Sequence, residues 1–247
     1  MSHLRRRRKP RCPGCGLPPA TCACAQLPRV RFSTRIAIVQ HVRETWKPTN
    51  TGRLFARMAE GTLVLPVGMR EPAFDPGPLE DPEMEWTLVY PREGASILRP
   101  EAGKRRGFVL LDGSWRQCAH MGRRLPVISD LPCVALPAGP PSFWSVRTQH
   151  DAKGRSTFEA ALQLIELHEG TPAVEPLRHA FAMLTARMLH LKGKLASPEI
   201  PPAWGILDTD DGQRTDESAK SPGPWSVPAN REEQNRDEGF GFKGPVG

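Results

Sequence analysis

The chain has 247 residues, of which 38% are hydrophobic, and a formal net charge of +7. This length suits one domain with appendages, and no stretch approaches the roughly 18 apolar residues that a membrane-spanning helix needs. The charge is uneven: residues 205–247 hold nine acidic and five basic side chains, so residues 1–204 carry +11. Such a basic body predicts a polyanionic partner, most obviously RNA or DNA, although some basic proteins bind nothing in particular.

The two ends of the chain differ from its middle. Residues 1–11 are crowded with arginine and lysine but lack the apolar segment of a secretory signal, so we expect a cytoplasmic protein. The same residues predict a basic, disordered arm that either contacts phosphates or only keeps the chain soluble. Residues 205–247 are too polar to bury a core, which predicts a disordered tail.

A group of cysteines follows the basic arm and predicts a metal site. Its members are Cys12, Cys15, Cys22 and Cys24. Four thiolates at this close spacing, the first two in a turn with Pro and Gly, fit a tetrahedral structural zinc site. Zinc would fold the segment 12–30, which is too small to form its own core. A redox pair or two disulfides are the alternatives.

Apolar runs and turn residues predict an α/β domain for residues 31–204. The predicted strands cover residues 35–41, 62–65, 86–90, 108–111 and 133–136. The predicted helices cover residues 50–60, 115–124, 156–169 and 173–192. Strands that alternate with helices are typical of a largely parallel sheet with flanking helices. Cys118 and Cys133 fall within these patterns and are expected to be buried as small apolar side chains.

The fourth predicted strand runs directly into a group of polar and aromatic residues. They are Asp112, Gly113, Ser114 and Trp115. The pattern indicates a buried strand that ends in a tight turn and opens a helix. Because open α/β sheets bind ligands at the carboxyl ends of their strands, we expect a site for a planar, polar ligand here.

Polar residues also follow the first predicted strand. His41 and Glu44 leave its carboxyl end, so the fold would place them on the same rim as Asp112. Asn50 or Thr51 can cap the next helix, and a capping role alone is an alternative explanation for them.

Residues 147–159 contribute two further candidates. Arg147 suits a phosphate or a carboxylate, with a surface salt bridge as the alternative. Ser156 and Glu159 form the capping-box pattern of a helix start. Since a helix N-terminus also attracts anions, we expect Ser156, Thr157 and Glu159 to act as both cap and ligand rim.

Basic side chains surround these segments and would position RNA through its phosphates. The candidates are Lys104, Arg105, Arg106, Arg116 and Arg53. A solvated helix face is the alternative for several of them.

Taken in order, these motifs resemble the DTW-domain family over about residues 11–195. The family's defining Asp-x-Thr-Trp is similar to residues 112–115, with Ser114 in place of Thr. Further similar segments are Gln40-His41-x-x-Glu44, Asn50-Thr51-Gly52, Arg147, Ser156-Thr157-x-Glu159 and the paired cysteines. The chain departs from the family at His150, where proline is usual.

The resemblance implies a tRNA-uridine aminocarboxypropyltransferase whose fold is related to the SPOUT methyltransferases, with their C-terminal knot. It implies S-adenosylmethionine as the donor, whose 3-amino-3-carboxypropyl group moves to uridine N3 and leaves methylthioadenosine. Asp112 is then the base for the N3 proton or the group that positions it. Trp115 stacks on the uracil or packs beneath the turn, and Arg147 pairs with a phosphate or with the methionine carboxylate. The implied partners are tRNA and the donor, and the oligomeric state stays open.

Two other functions stay open from the sequence. A SPOUT-like RNA methyltransferase would use the same donor but transfer its methyl group. A zinc-dependent RNA-binding module without catalysis explains the charge and the cysteines, but it leaves residues 112–115 unexplained.

Overall fold

The computed structural model describes residues 10–100, 106–147 and 154–206. Most of the predicted basic arm, together with Lys104, Arg105, His150 and the predicted tail from residue 207, lies outside these described residues. Within the three described stretches, no helix has both the length and the apolar character that crossing a membrane requires.

A parallel six-stranded sheet forms the centre of the domain. The strands are β1 (Val30–Arg31), β2 (Arg35–His41), β3 (Ala59–Glu60), β4 (Leu63–Val67), β5 (Glu85–Val89), β6 (Ser96–Ile97), β7 (Arg106–Asp112) and β8 (Cys133–Ala135). The sheet has the order β4-β2-β7-β5-β8-β6, and all neighbours run parallel. β1 and β3 form a separate parallel pair. The predicted α/β class with a largely parallel sheet is confirmed, whereas the SPOUT relation and the knot stay predictions.

Five α-helices accompany the strands in the described part of the chain. They are α1 (Val42–Thr45), α2 (Thr51–Met58), α3 (Trp115–Arg124), α4 (Thr157–Glu169) and α5 (Thr171–His190). The bounds of α3 and β2 match the predicted ones. The prediction of helix through residue 60 is wrong, because Ala59–Glu60 pair with β1 instead. The predicted strand at 62–65 continues through Pro66 to Val67, which is tolerated because β4 is an edge strand.

Both faces of the sheet are buried, as expected for parallel strands. One face packs against α2, α4 and α5 and carries Ile36, Ile38, Phe108 and Leu110. The other face packs against α3 and carries Ala37, Val39, Leu88 and Val109. Cys118 of α3 is buried in this second cluster, as predicted, and Cys133 is only partly buried against it.

The cysteine segment packs into the first of these clusters and does not stand apart. Cys15 and Leu17 are buried beside residues of α5. Gly16 has a φ of +77° and presses against the carbonyl oxygen of Pro48, so only glycine fits there. The segment therefore supports the loop that leads to α2.

The strand order places a crevice between the carboxyl ends of β2 and β7. The chain leaves β2 towards β4 on one side, whereas it leaves β7 towards β8 on the other side. Connections that diverge in this way open a gap at the carboxyl edge of a parallel sheet, where α/β domains bind ligands.

Candidate active site

Asp112 is a buried carboxylate, 5% exposed, at the carboxyl end of β7. Its Oδ2 accepts hydrogen bonds from Gln40 Nε2 at 2.8 Å and from Asn50 Nδ2 at 2.5 Å. Its Oδ1 accepts one from Thr157 Oγ1 at 2.9 Å. These bonds offset the loss of hydration that burial imposes on a charged group. One carboxylate thus gathers side chains from β2, from the start of α2 and from the start of α4.

The start of α2 is shaped to approach this carboxylate. Asn50 is the N-cap, because its Oδ1 accepts the Arg53 backbone N–H at 2.7 Å while its Nδ2 donates to Asp112. Thr51 is buried next to it. A Cβ on Gly52 would lie 2.9 Å from Asp112 Oδ2, so glycine is what allows this close approach.

The buried Glu44 and the partly exposed Arg147 form an ion pair on the same rim. Arg147 Nη1 donates to Glu44 Oε2 at 2.9 Å, Arg147 Nε donates to Thr49 Oγ1 at 3.0 Å, and Lys47 also pairs with Glu44. Burial raises the pKa of Glu44, but the two cations outweigh it and hold the pKa below its ordinary value. Arg147 Nη2 is buried without a hydrogen-bond partner among the described residues, so it is available to an anion.

Ser156 and Glu159 form the predicted capping box at the start of α4. The Glu159 carboxylate accepts from the Ser156 backbone N–H at 2.9 Å, and Ser156 Oγ accepts from the Glu159 N–H at 3.3 Å. Glu159 is fully buried and also accepts from Ser142 Oγ at 2.7 Å. Glu159 therefore fixes the loop before α4, and this leaves the adjacent Thr157 hydroxyl to face Asp112.

His41, Ser114 and Arg116 line an open cleft of about 670 Å³ on the α3 side of the sheet. Ser114 is the N-cap of α3 and forms a capping box with Gln117, a pattern that the sequence analysis did not single out. Ser114 is an exposed residue. The cleft therefore opens directly beside the turn that carries Asp112.

The His41 imidazole caps α1. Its Nδ1 accepts the Arg43 backbone N–H at 3.1 Å. Burial, followed by the charge of Arg43, lowers the pKa of His41. Because Nδ1 is an acceptor, the proton of the neutral ring lies on Nε2. A Cβ on Gly68, whose φ is +94°, would lie 3.3 Å from this Nε2.

Trp115 begins α3 with 47% of its surface exposed. Its ring lies 6.2 Å from the ring of Tyr90, with the two planes at 49°. Gly113 packs tightly before it, since a Cβ there would lie 3.1 Å from Gln117 Cβ. Trp115 therefore leaves part of its surface for another planar group.

Arg53, Arg106 and Arg116, the described members of the set predicted to contact RNA, do not lie together. Arg116 lies beside the cleft. Arg106 begins β7 and therefore lies at the amino end of the strand that Asp112 ends. Arg53 lies by the cysteines, and burial lowers its pKa. Of the described members of this set, only Arg116 lines the cleft.

The four predicted metal ligands lie together. Their sulfur atoms are all within 4.8 Å of one another, with Cys12 Sγ 3.5 Å from both Cys22 Sγ and Cys24 Sγ. A hydrogen bond from the Cys15 backbone N–H lowers the pKa of Cys12 to about 6, whereas burial raises that of Cys24 to about 12. The cluster can hold a metal ion.

The site lies within a segment that matches a known domain. Residues 9–189 match the model of the DTW domain. The chain belongs to the DTW-domain family. It is 30% identical over 176 residues to tRNA-uridine aminocarboxypropyltransferase 2 of Drosophila melanogaster, and the match covers 67% of this chain and 69% of that protein. No solved structure matches the chain.

Two residues of this DTW domain contribute to the site without being among the predicted site residues. Gln40 donates to Asp112, and Gly52 makes room for the carboxylate. A glutamine inside an apolar strand is the signal that could have identified Gln40, because a buried amide needs a polar partner.

Replacing Gly52 with alanine should destabilise the domain by about 1–3 kcal/mol, because the new Cβ meets Asp112 and the surrounding core must shift. Chemical denaturation measures this change. Gly122→Ala in α3 is the matched control, since its Cβ would meet neighbours only at 3.4 Å and beyond. The control should be neutral or stabilising. Equal stability of the two variants would contradict the close approach.

The lowered pKa of His41 predicts a pH-dependent stability. The folded state binds the proton more weakly than the unfolded chain, so this stability is complete above about pH 6.5 and declines as the pH falls below it. Thermal unfolding between pH 7.5 and 5.5 measures the decline. His41→Asn keeps a capping oxygen but does not titrate, so it should decline less. The same decline in both proteins would exclude His41 as its source.

Proposed function

We propose that this protein transfers the 3-amino-3-carboxypropyl group of S-adenosylmethionine to N3 of a uridine in tRNA, with release of methylthioadenosine. Membership in the DTW-domain family and the similarity to a protein named tRNA-uridine aminocarboxypropyltransferase support this proposal. The structural observation that carries it is the buried Asp112 carboxylate, held by three neutral donors at the ligand-binding edge of the sheet.

Asp112 is assigned to the N3–H group of the uridine. An ionised carboxylate offers about four acceptor positions, of which three are in use here. The fourth, on Oδ1, would accept the N3–H hydrogen bond and receive the proton as the N–C bond forms. Gln40, Asn50 and Thr157 hold the carboxylate in the orientation that this step requires.

S-adenosylmethionine supplies a carbon that is already activated by a sulfonium leaving group, so the protein has to bind and orient the reactants. Arg147 fits the methionine carboxylate, because its Nη2 is buried and unpartnered in the described part of the chain. Trp115 offers a half-exposed ring on which a base can stack.

Two of the predicted site residues are assigned positioning roles. Glu44 holds the guanidinium of Arg147 through the ion pair at 2.9 Å. Glu159 fixes the loop and the first turn of α4, from which Thr157 reaches Asp112. Both carboxylates are buried and fully engaged with protein groups, so neither is assigned a contact with the reacting atoms.

We further propose that the cysteine cluster holds a structural zinc ion. Zinc–sulfur bonds of about 2.3 Å in a tetrahedron place the sulfur atoms about 3.8 Å apart. Three of the sulfur pairs lie at 3.5 or 3.8 Å, and all four sulfur atoms are within 4.8 Å of one another. Four thiolates leave no open position for water, so this ion would support the fold and not the chemistry.

Mass spectrometry of nucleosides from unmodified tRNA, incubated with the protein and S-adenosylmethionine, tests the transfer reaction. We expect a uridine that carries the aminocarboxypropyl group. Asp112→Asn should reduce its formation by about 10²–10⁴-fold because the acceptor for the N3 proton is lost. Thr157→Val, which removes one hydrogen bond to Asp112, should cause a smaller loss.

Asp130→Asn is the matched control, because Asp130 is exposed and outside the site. It should retain full activity. A methylated nucleoside would replace the proposed reaction with methyl transfer. Retained RNA binding without any modified nucleoside would favour a non-catalytic RNA-binding protein.

Metal analysis of the purified protein should find about one zinc ion per chain. Cys22→Ser should lower the zinc content and the unfolding temperature, because the bound metal stabilises the folded segment. Cys133→Ser, outside the cluster, should retain the zinc. Thiols in the cluster that resist alkylation until a reductant is added, in a zinc-free protein, would show disulfides instead.

A further inference from the structure

The cleft on the α3 side of the sheet combines apolar walls with positively charged side chains. It opens between the carboxyl ends of β2 and β4 and one side of α3, along the length of that helix. Val42, Val67, Met121 and Leu125 give it apolar walls. Its volume of about 670 Å³ lies within the usual range for small-molecule sites. The cleft is therefore large enough for a nucleotide.

Cationic and imidazole side chains surround these walls. Arg43 and Arg116 carry the permanent charges, and His41 and His120 add two imidazoles. Among the described residues, none of those that line the cleft carries a carboxylate. Arg43 and His120 were not predicted as site residues, because only the fold brings α1 and α3 together around one opening.

We propose that this cleft binds the acceptor nucleotide of the RNA, with Arg43 and Arg116 on its phosphates and the apolar wall against its ribose or base. The inference rests on the proposed function and assigns the RNA side of that reaction. A guanidinium pairs with phosphate through two parallel hydrogen bonds, which suits both arginines to this ligand.

Charge decides between the two reactants as occupants of the cleft. S-adenosylmethionine carries a sulfonium, an ammonium and one carboxylate, so it is a net cation that the two guanidinium groups repel. RNA is a polyanion that they attract. The donor is therefore better accommodated beside Arg147, where Glu44 already neutralises part of the positive charge.

The position of the cleft also suits the acceptor. Ser114 lines it and follows Asp112 by two residues, and His41 lines it and directly follows Gln40, which donates to Asp112. The Asp112 carboxylate itself faces the starts of α2 and α4, on the other face of the sheet from the cleft, so the base has to reach it across the carboxyl end of β7. The His41 Nε2–H can donate to a base or phosphate oxygen there.

Binding of a fluorescein-labelled oligouridine, measured by anisotropy over a range of salt concentrations without donor, tests the inference. Arg43→Gln and Arg116→Gln should each weaken binding roughly tenfold. Each should also reduce the salt slope by about 0.7. Arg43→Lys keeps the charge and should retain the slope. Titration calorimetry with S-adenosylmethionine alone should show that both glutamine variants bind the donor as the unaltered protein does.

Arg99→Gln is the matched control, because Arg99 is exposed just after β6, at the far edge of the sheet. Four strand spacings of about 4.8 Å place it roughly 19 Å from β2. It should not change oligouridine binding. An equal loss in this control would overturn the inference, since it would show a general effect of net charge.

Two other outcomes would also overturn it. Unchanged oligouridine binding in both glutamine variants would exclude the cleft as an RNA site. Loss of donor binding in these variants would assign the cleft to the donor. Both measurements are independent of transfer, so a protein that binds oligouridine as expected but forms no modified uridine would contradict the proposed function and leave this inference intact.

Discussion

The buried charge of Asp112 is the constraint on which the rest of the site depends. Burying a carboxylate is costly unless hydrogen bonds replace its hydration, and the donors that the structure gives Asp112 are all neutral. Two of them lie at the starts of α2 and α4, where the positive ends of the helix dipoles also favour a negative charge. Gln40 completes the set from the neighbouring strand. The carboxylate therefore determines how closely two helices can approach the carboxyl edge of the sheet.

The cysteine segment lies outside the site, but it packs against the loop that carries residues of the site. Gly16 presses against Pro48, two residues before Asn50, and neighbouring residues of the segment are buried in the main core. The same loop carries Thr49, which orients Arg147. A metal ion that holds the segment in shape would therefore support both the hydrogen bond to Asp112 and the ion pair with Glu44. Through this connection, a metal ion at the cysteine cluster would influence the proposed transfer without taking part in it.

Local signals made part of this structure predictable. The bounds of β2 and α3 follow from apolar runs and turn residues, and the shared rim of His41 and Asp112 follows from the geometry of parallel sheets. Features that depend on distant pairing were not predictable. Ala59–Glu60 form a strand because they meet β1, and Glu44 binds Arg147 from 103 residues away. Arg106 and Arg116 were predicted together because both are basic. The fold separates them, since Arg106 lies at the amino end of β7 and Arg116 follows its carboxyl end.

The location of the negative charge bears on how the proposed transfer would be accelerated. Only interactions that strengthen towards the transition state raise the rate of the chemical step. The positive charge of a sulfonium disappears as the carbon–sulfur bond breaks, so a carboxylate placed against the sulfur would favour the reactants. The N3–H proton becomes more acidic as the new N–C bond forms. The hydrogen bond from N3–H to a carboxylate placed there therefore strengthens as the reaction proceeds. Gln40, Asn50 and Thr157 hold Asp112 in one orientation, and the cleft with Arg43 and Arg116 opens at the same carboxyl edge of the sheet, on its α3 side. An acceptor whose phosphates lie in this cleft and whose base reaches across the carboxyl end of β7 would bring N3–H to the carboxylate, where the negative charge favours transfer.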